Sequence, residues 1–199
     1  MKWKNKPTCN MCGHETENPD LWCEKCGNLN FIKPIKFTEI IKRSYEYMWN
    51  LQSILPKFEH IITQFEGNTP ILKIQNIEDL KEINLKLEYR NPTGSFRDRA
   101  SSLIISDTIS KNKNLIVNPT TGSFGISLAS YGARVGVNIV NVIPKNIDSS
   151  KIEQMKIYNS EVIIDGDYID SAIGEAKIIS NNTLISLIFS FFLAFLDQK

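Results

Sequence analysis

The chain has 199 residues, 42% of them apolar and 23% charged, with a formal net charge of +1, as expected of a soluble globular protein holding one domain with a real core and a small appendage. The near-neutral balance excludes a general nucleic-acid binder, which needs a basic face to offset phosphates. No basic segment followed by an apolar run opens the sequence, so the expectation is a cytoplasmic protein with reduced thiols rather than an exported one.

All four cysteines fall at the start, as Cys9-x2-Cys12 and Cys23-x2-Cys26, with Gly13 and Gly27 directly after each pair. Two cysteines separated by two residues can grip one metal from a tight turn, and glycine permits the backbone bend that turns amide hydrogens toward thiolates. Two such knuckles make a four-sulfur, tetrahedral structural site over residues 1–30, best suited to zinc. A redox dithiol pair is the competing reading, disfavoured by the expected compartment. His14 lies beside the second cysteine and is read as solvated, because four sulfurs already complete the shell. A ribbon this small has almost no core, so the metal would supply its folding energy.

Residues 31–66 read as a linker with Pro34 followed by a helical run from about Phe37 to Asn50, in which Tyr45, Met48 and Trp49 are packing residues. The stretch FEGNTPIL at 65–72 is a Gly-Asn turn whose Pro70 leads into a strand. From there the spacing predicts strand 83–89, helix 96–110, strand 115–118, helix 124–134, strand 138–143, helix 151–159, strand 161–164 and helix 169–180. Strands alternating with helices imply parallel pairing through crossovers, hence an α/β unit over residues 67–180.

Two near-copies stand out, NPTGSF at 91–96 and NPTTGSF at 118–124, each placed between a strand and a helix. In a parallel sheet such loops gather at the strand C-termini and deliver helix N-termini there. Gly94 and Gly122 allow close approach, the hydroxyls at 93, 95, 120, 121 and 123 can donate, and the helix ends add unpaired N–H groups. Together they could bind an anionic small molecule or amino acid; the plainer reading is that both are N-caps. Asp98 suits a helix's first turn through the dipole, Asp165-Gly166-Asp167 reads as a turn, and His60 as a packed or surface residue.

The stretch LKLEYRNPTGSFRDR resembles the cofactor-lysine motif of fold-type II pyridoxal-phosphate enzymes, the tryptophan synthase beta-like family, in which position 97 is lysine. Upstream GNTPI resembles the family's Gly-x-Thr-Pro-Leu entry, and TTGSFGISLASYGARVGV resembles its Ser-x-Gly-Asn-x-Gly loop and helix. With the cysteine ribbon, the pattern over residues 9–180 is most similar to the threonine synthases, lyases that convert O-phosphohomoserine to threonine and phosphate. The resemblance implies cofactor contacts at Ser95, Phe96, Arg97 and Ser123, and substrate contacts at Thr120, Thr121, Gly122 and Phe124.

The departures from that pattern fall on the chemistry. Arg97 stands where the Schiff-base lysine belongs, and its delocalised, protonated guanidinium offers no lone pair to an aldehyde. It could pair with an anionic ligand, or be a drifted residue at a helix start. Ser123 replaces an asparagine that contacts the cofactor ring. The family's glycine-rich phosphate cradle and the residue facing the pyridine nitrogen have no counterpart in this sequence. With arginine at position 97, pyridoxal phosphate would bind non-covalently at best.

After residue 180 the composition changes to an apolar tail, NNTLISLIFSFFLAFLDQK, over 181–199. It is too short for a membrane span to be expected. It reads as a tail anchor, a partner-binding helix, or the product of a frameshift or early stop. The functional expectations are therefore a catalytically impaired threonine synthase-like member with an incomplete fold-type II unit, a non-enzymatic small-molecule or partner-binding module acting with a full-length relative or as a homodimer, or a gene remnant.

Overall fold

The structure, a computed structural model, describes residues 6–16, 23–28, 30–32, 47–52, 55–77 and 80–180. Most of the helical run expected over 37–50, with Pro34 and Tyr45, and the whole apolar tail at 181–199 lie outside the described residues. Where that helical run enters the described part, residues Tyr47–Leu51 form one short 3-10 turn, with Met48 and Trp49 buried in the core as packing residues.

The chain opens with β1 (Pro7–Cys9) paired antiparallel to β2 (Asn30–Ile32), Cys9 facing Asn30. Next come β3 (Ile71–Ile77) and β4 (Leu80–Lys86), an antiparallel hairpin that makes a sheet of its own. This corrects the expectation for 83–89. That segment ends at Lys86, belongs to no parallel ladder, and pairs with the run immediately before it. An antiparallel partner needs only a short connection, whereas a parallel one needs a crossover of a dozen residues or more. Glu88–Arg90 then form a 3-10 turn rather than continuing the strand.

The second half follows the expected alternation. α1 (Asp98–Ser110), β5 (Leu115–Pro119), α2 (Ser123–Val135), β6 (Asn138–Ile143), α3 (Ser149–Ile157), β7 (Glu161–Ile164) and α4 (Ile169–Ser180) build a three-stranded parallel sheet in the order β5-β6-β7. Strand residues alternate between its two faces. Val117, Val140 and Val142 pack beneath Ala172 and Ala176 of α4. Ile116 and Ile139 face the opposite way, into a cluster with Leu128 and Tyr131 of α2 and with Leu103, Ile104 and Ile105 of α1. Ile143 meets Ile126 and Met155, joining α2 to α3. Helices thus cover both faces, which explains why the strands are nearly continuous apolar runs.

Local signals account for the helix ends. α2 stops where Gly136 takes the left-handed conformation at φ 74° and its N–H returns to the Gly132 carbonyl, the usual role of a C-terminal glycine. α3 starts because the Asp148 carboxylate accepts the Ser150 N–H at 2.8 Å.

One buried acid organises the inner side of the α1–α2 layer. Glu66 is fully buried and accepts hydrogen bonds from Trp49 Nε1 (3.0 Å), Thr63 Oγ1 (3.0 Å), the Gln64 N–H (2.9 Å) and Tyr131 Oη (2.6 Å). A buried carboxylate is tolerated only when its lone pairs are met in this way. Burial first, and then the adjacent Glu66, push the Tyr131 hydroxyl far above its usual range, so it remains a proton donor. The sequence pattern alone marks none of these residues as a group.

Candidate functional site

The first loop is folded by its own acid. Asp98, the opening residue of α1, is fully buried and accepts the Thr93 N–H at 2.7 Å and the Thr93 hydroxyl at 2.5 Å, closing residues 93–98 into a compact turn. Desolvation raises its carboxyl above the usual range even though the Ser127 and Thr93 donors pull it down. Asp98 was readable from the sequence as a helix-dipole residue; its closure of the loop was not.

A second acid fixes the loop's base. Glu88 accepts from both Arg99 Nε (2.9 Å) and Arg99 Nη2 (2.8 Å), from Thr69 Oγ1 (2.7 Å) and from Asn91 Nδ2 (2.9 Å). The opposite side of Asn91 accepts the Gly67 N–H at 2.9 Å. The Gly-Asn-Thr-Pro turn, the 3-10 turn at 88–90, the first loop and α1 are therefore one connected unit. Burial opposes ionisation of Glu88, but Arg99, Thr69 and Asn91 outweigh it and hold the carboxyl down at about 2.

Arg97 sits immediately before α1 at φ −63° and ψ −20°, with its guanidinium carbon 4.8 Å from the centroid of the Phe96 ring. Phe96 is itself 43% exposed, so this is a stacked cation at the edge of the site rather than a buried pair. Partial burial draws the guanidinium's affinity for its proton down from its ordinary value, which leaves it charged at any ordinary pH. The Ser95 hydroxyl accepts the Arg97 N–H at 3.3 Å.

In the second loop, Gly122 adopts φ 137°, a conformation that L side chains rarely take. The Thr120 hydroxyl accepts the Gly122 and Gly125 N–H groups, each at 3.2 Å. Thr120 therefore caps its own helix and is buried. Phe124 is buried in the α1–α2 core cluster. Of the five hydroxyls anticipated as ligand donors, Thr93 donates to Asp98, while those of Thr120 and Ser95 accept backbone N–H groups within their loops. Thr121 is exposed and Ser123 half-buried.

The two loops meet through their helices. The Ser127 hydroxyl of α2 bridges Asp98 (2.5 Å) and Ser101 (2.7 Å) of α1, locking the N-terminal turns together. Lys151 of α3, which the sequence reading did not single out, lies across Gly122: a Cβ there would meet Lys151 Cδ at 2.5 Å and Nζ at 3.2 Å. An ammonium group is thereby added beside the amide-rich start of α2. Beneath the loop, Asn118 of β5 donates to Asn141 of β6 at 2.7 Å, and Asn141 donates in turn to Ser160 at 2.9 Å. This polar ladder connects all three strands' neighbourhoods below the second loop.

The four cysteines form a separate centre. Their sulfurs all lie within 4.8 Å of one another, with Cys9 Sγ 3.5 Å from Cys26 Sγ and Cys12 Sγ 3.7 Å from Cys23 Sγ. A zinc–sulfur bond of about 2.3 Å in tetrahedral geometry requires sulfurs roughly 3.8 Å apart, so the set fits such an ion. Gly13 and Gly27 take φ 68° and 70° and return their N–H groups to the Cys9 and Cys23 carbonyls. The Cys12 amide is the main influence drawing the Cys9 thiol down to about 6. The His14 amide favours the Cys12 thiolate, but desolvation and the neighbouring sulfurs push that thiol up to about 11. His14 Nε2 pairs instead with Glu24 Oε1 at 2.8 Å. His60 is exposed, and Asp167 forms only an exposed 3.5 Å pair with Lys145.

Among the described residues, no helix is long and apolar enough to cross a membrane. The model of the family described as pyridoxal-phosphate dependent enzyme matches residues 62–188, more than half of the chain. The chain is 28% identical over 175 residues to the threonine synthase of Methanosarcina acetivorans, a match covering 82% of this chain and 43% of that protein. It is 31% identical over 131 residues to the threonine synthase of Mycobacterium leprae, covering 64% of this chain and 36% of that one. Among solved structures, a hydrogen sulfide-producing enzyme from Fusobacterium nucleatum superposes with a TM-score of 0.55 and 28% identity, covering 64% of this chain and 44% of the other. The chain thus spans less than half the length of these relatives. With the α/β unit, the paired loops and the profile match in agreement, the chain belongs to the pyridoxal-phosphate-dependent enzyme family.

Proposed function

We propose that this chain is a threonine synthase-like member of the family that holds an anionic small molecule, an amino acid or its phosphate ester, without forming a covalent link through residue 97. The observation that carries this reading is Arg97, seated before α1 in an otherwise intact loop and stacked on Phe96. An imine-linked pyridoxal phosphate does not fit this position, because a guanidinium has no free lone pair with which to attack the aldehyde. The surrounding residues do fit an anion. Exposed Thr121 and half-buried Ser123 offer hydroxyls, the start of α2 offers the positive end of its dipole, and Lys151 and Arg97 offer positive charge. Asp98 and Glu88 contribute by holding the loops in shape, so that binding costs little reorganisation.

In this reading, pyridoxal phosphate is held non-covalently at best through Ser95, Phe96, Arg97 and Ser123, and the ligand's carboxylate or phosphate by the second loop. Zinc in the cysteine cluster has a structural role, and the protein works in the cytoplasm, where thiols stay reduced.

The test is equilibrium binding of pyridoxal phosphate to the zinc-loaded protein, followed by absorbance, with Arg97→Lys in parallel. Saturable binding that borohydride does not trap in the parent, but does trap in the variant, supports the reading. A trappable imine in the parent, or threonine formed from O-phosphohomoserine, overturns it. Absence of binding by both proteins removes the ligand reading and leaves the remnant.

A further inference from the structure

The four cysteines are not equivalent. Cys9 and Cys23 are buried, whereas Cys12 and Cys26 are exposed, so each knuckle contributes one sheltered and one accessible residue. The close sulfur pairs run between the knuckles and join unlike members: Cys9 Sγ lies 3.5 Å from Cys26 Sγ, and Cys12 Sγ 3.7 Å from Cys23 Sγ. The Lys25 N–H is directed at Cys23 Sγ at 3.4 Å, which shelters that sulfur further. The chain has no other cysteine, so an oxidised sulfur here finds its thiol partner inside the cluster. Exposure and thiolate character decide which cysteine an oxidant takes first. A sulfenic acid formed at Cys12 or Cys26 therefore has a buried sulfur of the other knuckle beside it, ready to condense.

We infer that the ribbon is a peroxide-responsive switch: hydrogen peroxide enters at Cys12 and Cys26, and disulfides Cys9–Cys26 and Cys12–Cys23 close between the knuckles, withdrawing all four thiolates from the metal ion they would hold. In each half the exposed thiolate gives two electrons to peroxide, whose O–O bond breaks; one oxygen leaves as water and the other stays on sulfur as the sulfenic acid. The buried thiolate then attacks that sulfur, the S–S bond forms and the hydroxyl leaves as a second water, two protons from solvent completing the balance. The pairing has a structural consequence. β1 runs into the first knuckle and β2 follows the second, with Cys9 facing Asn30. Bridges between knuckles link residues 17 and 11 positions apart, so they hold the two strands together and remove chain entropy from the opened ribbon. A bridge within one Cys-x2-Cys turn ties nothing across. The oxidised ribbon thus keeps its strand pairing after the ion has gone, unlike a ribbon emptied by a chelator with its thiols reduced. The switch lies apart from the ligand loops and does not depend on what residue 97 does.

The test uses the full chain loaded with zinc, its metal content measured by atomic emission, and titrated with hydrogen peroxide while a chromogenic chelator reads the released ion. Peptide mass spectrometry after alkylation maps the bridges, and a parallel sample with dimedone traps sulfenic acids. The expected result is complete loss of zinc at about two peroxides per chain, dimedone adducts at Cys12 and Cys26 ahead of Cys9 and Cys23, and cross-linked peptides joining Cys9 to Cys26 and Cys12 to Cys23. Dithiothreitol with added zinc restores the metal content. The Thr8 and Cys9 amides stay protected from exchange in the oxidised, zinc-free chain. Zinc retained under excess peroxide, bridges within Cys9–Cys12 or Cys23–Cys26, or loss of β1 protection in the oxidised chain each overturns the switch while leaving the metal site standing. A chain that holds no zinc before peroxide is added overturns the site and the switch together.

Discussion

Ser127 of α2 reaches Asp98 of α1 with a 2.5 Å hydrogen bond, and through it the helix after the second loop is fastened to the acid that closes the first. Asp98 is fully buried and has three donors directed at it. Asp98→Ala is expected to lower stability by about 2–4 kcal/mol, because it leaves the Thr93 N–H and hydroxyl without their acceptor and strips Ser127 of one of its two partners. Ser127→Ala is expected to cost about 1–2 kcal/mol, since Asp98 retains its Thr93 donors. Urea unfolding of the two variants against the parent measures both, and an Asp98→Ala cost no larger than that of an exposed substitution would contradict the closure.

The Glu88 hub makes stability depend on acid pH in a predictable direction. Its folded carboxyl is held at about 2, below the ordinary value. A depressed acid contributes stability that is present above its unfolded pKa and is lost as pH falls toward the folded one. The window runs from about pH 4.5 down to about 2. Glu88 is 27% exposed, so solvent screening trims the contribution to about 1–2 kcal/mol. Glu88→Gln is expected to be less stable than the parent at pH 7 and to flatten this part of the stability profile. Asp98 runs the other way: its raised carboxyl favours the folded state at lower pH and loses that contribution as pH rises through its folded pKa.

The contact between Gly122 and Lys151 provides a test that separates backbone strain from crowding. Gly122→Ala imposes a side chain at φ 137° and drives its Cβ into Lys151, with an expected cost of about 1–3 kcal/mol. Adding Lys151→Ala relieves the crowding but not the strain, so thermal unfolding of the double variant should recover only part of the loss. Full recovery would mean that the loop tolerates the dihedral and that only the lysine was in the way. Lys151→Met alone is expected to leave the fold unchanged and to weaken inorganic phosphate binding in calorimetry.

The cysteine cluster predicts one tightly bound zinc per chain by atomic emission. Cobalt substitution should give the intense thiolate charge-transfer bands of a four-sulfur site, and Cys23→Ser should remove them together with the ion. Chelation should release β1 and β2 to exchange while leaving the core around Trp49 folded, because a ribbon of this size gains its folding energy from the metal. Unchanged exchange at Thr8 and Cys9 after metal removal would show that the ribbon stands without it.

How much of this was legible in the sequence follows from how local each signal is. The edges of β6, β7 and α4 were predicted to the residue, because apolar alternation, Gly136 and the Asp-Gly-Asp turn are punctuation carried by neighbouring residues. The cysteine knuckles were legible for the same reason: two residues of spacing and a glycine already determine the turn. Family membership was likewise readable, since three motifs in order leave few other assignments.

What the tertiary structure decided is everything that depends on a partner distant in sequence. Periodicity identifies residues 83–86 as extended but carries no strand direction, and only three-dimensional pairing made β4 half of an antiparallel hairpin. Thr120 and Phe124 look equally available in a line of letters. Folding turns one hydroxyl onto the start of the following helix and buries one ring against α1, while Thr121 stays exposed and Ser123 half-buried. Lys151 lay in no motif, and Glu66 and Glu88 lay in recognised stretches without a role to mark them, because what they do comes from donors and glycines up to 65 positions away. At position 97 residue identity alone is decisive: the side chain is a guanidinium, and no arrangement of the surrounding atoms gives it a free lone pair.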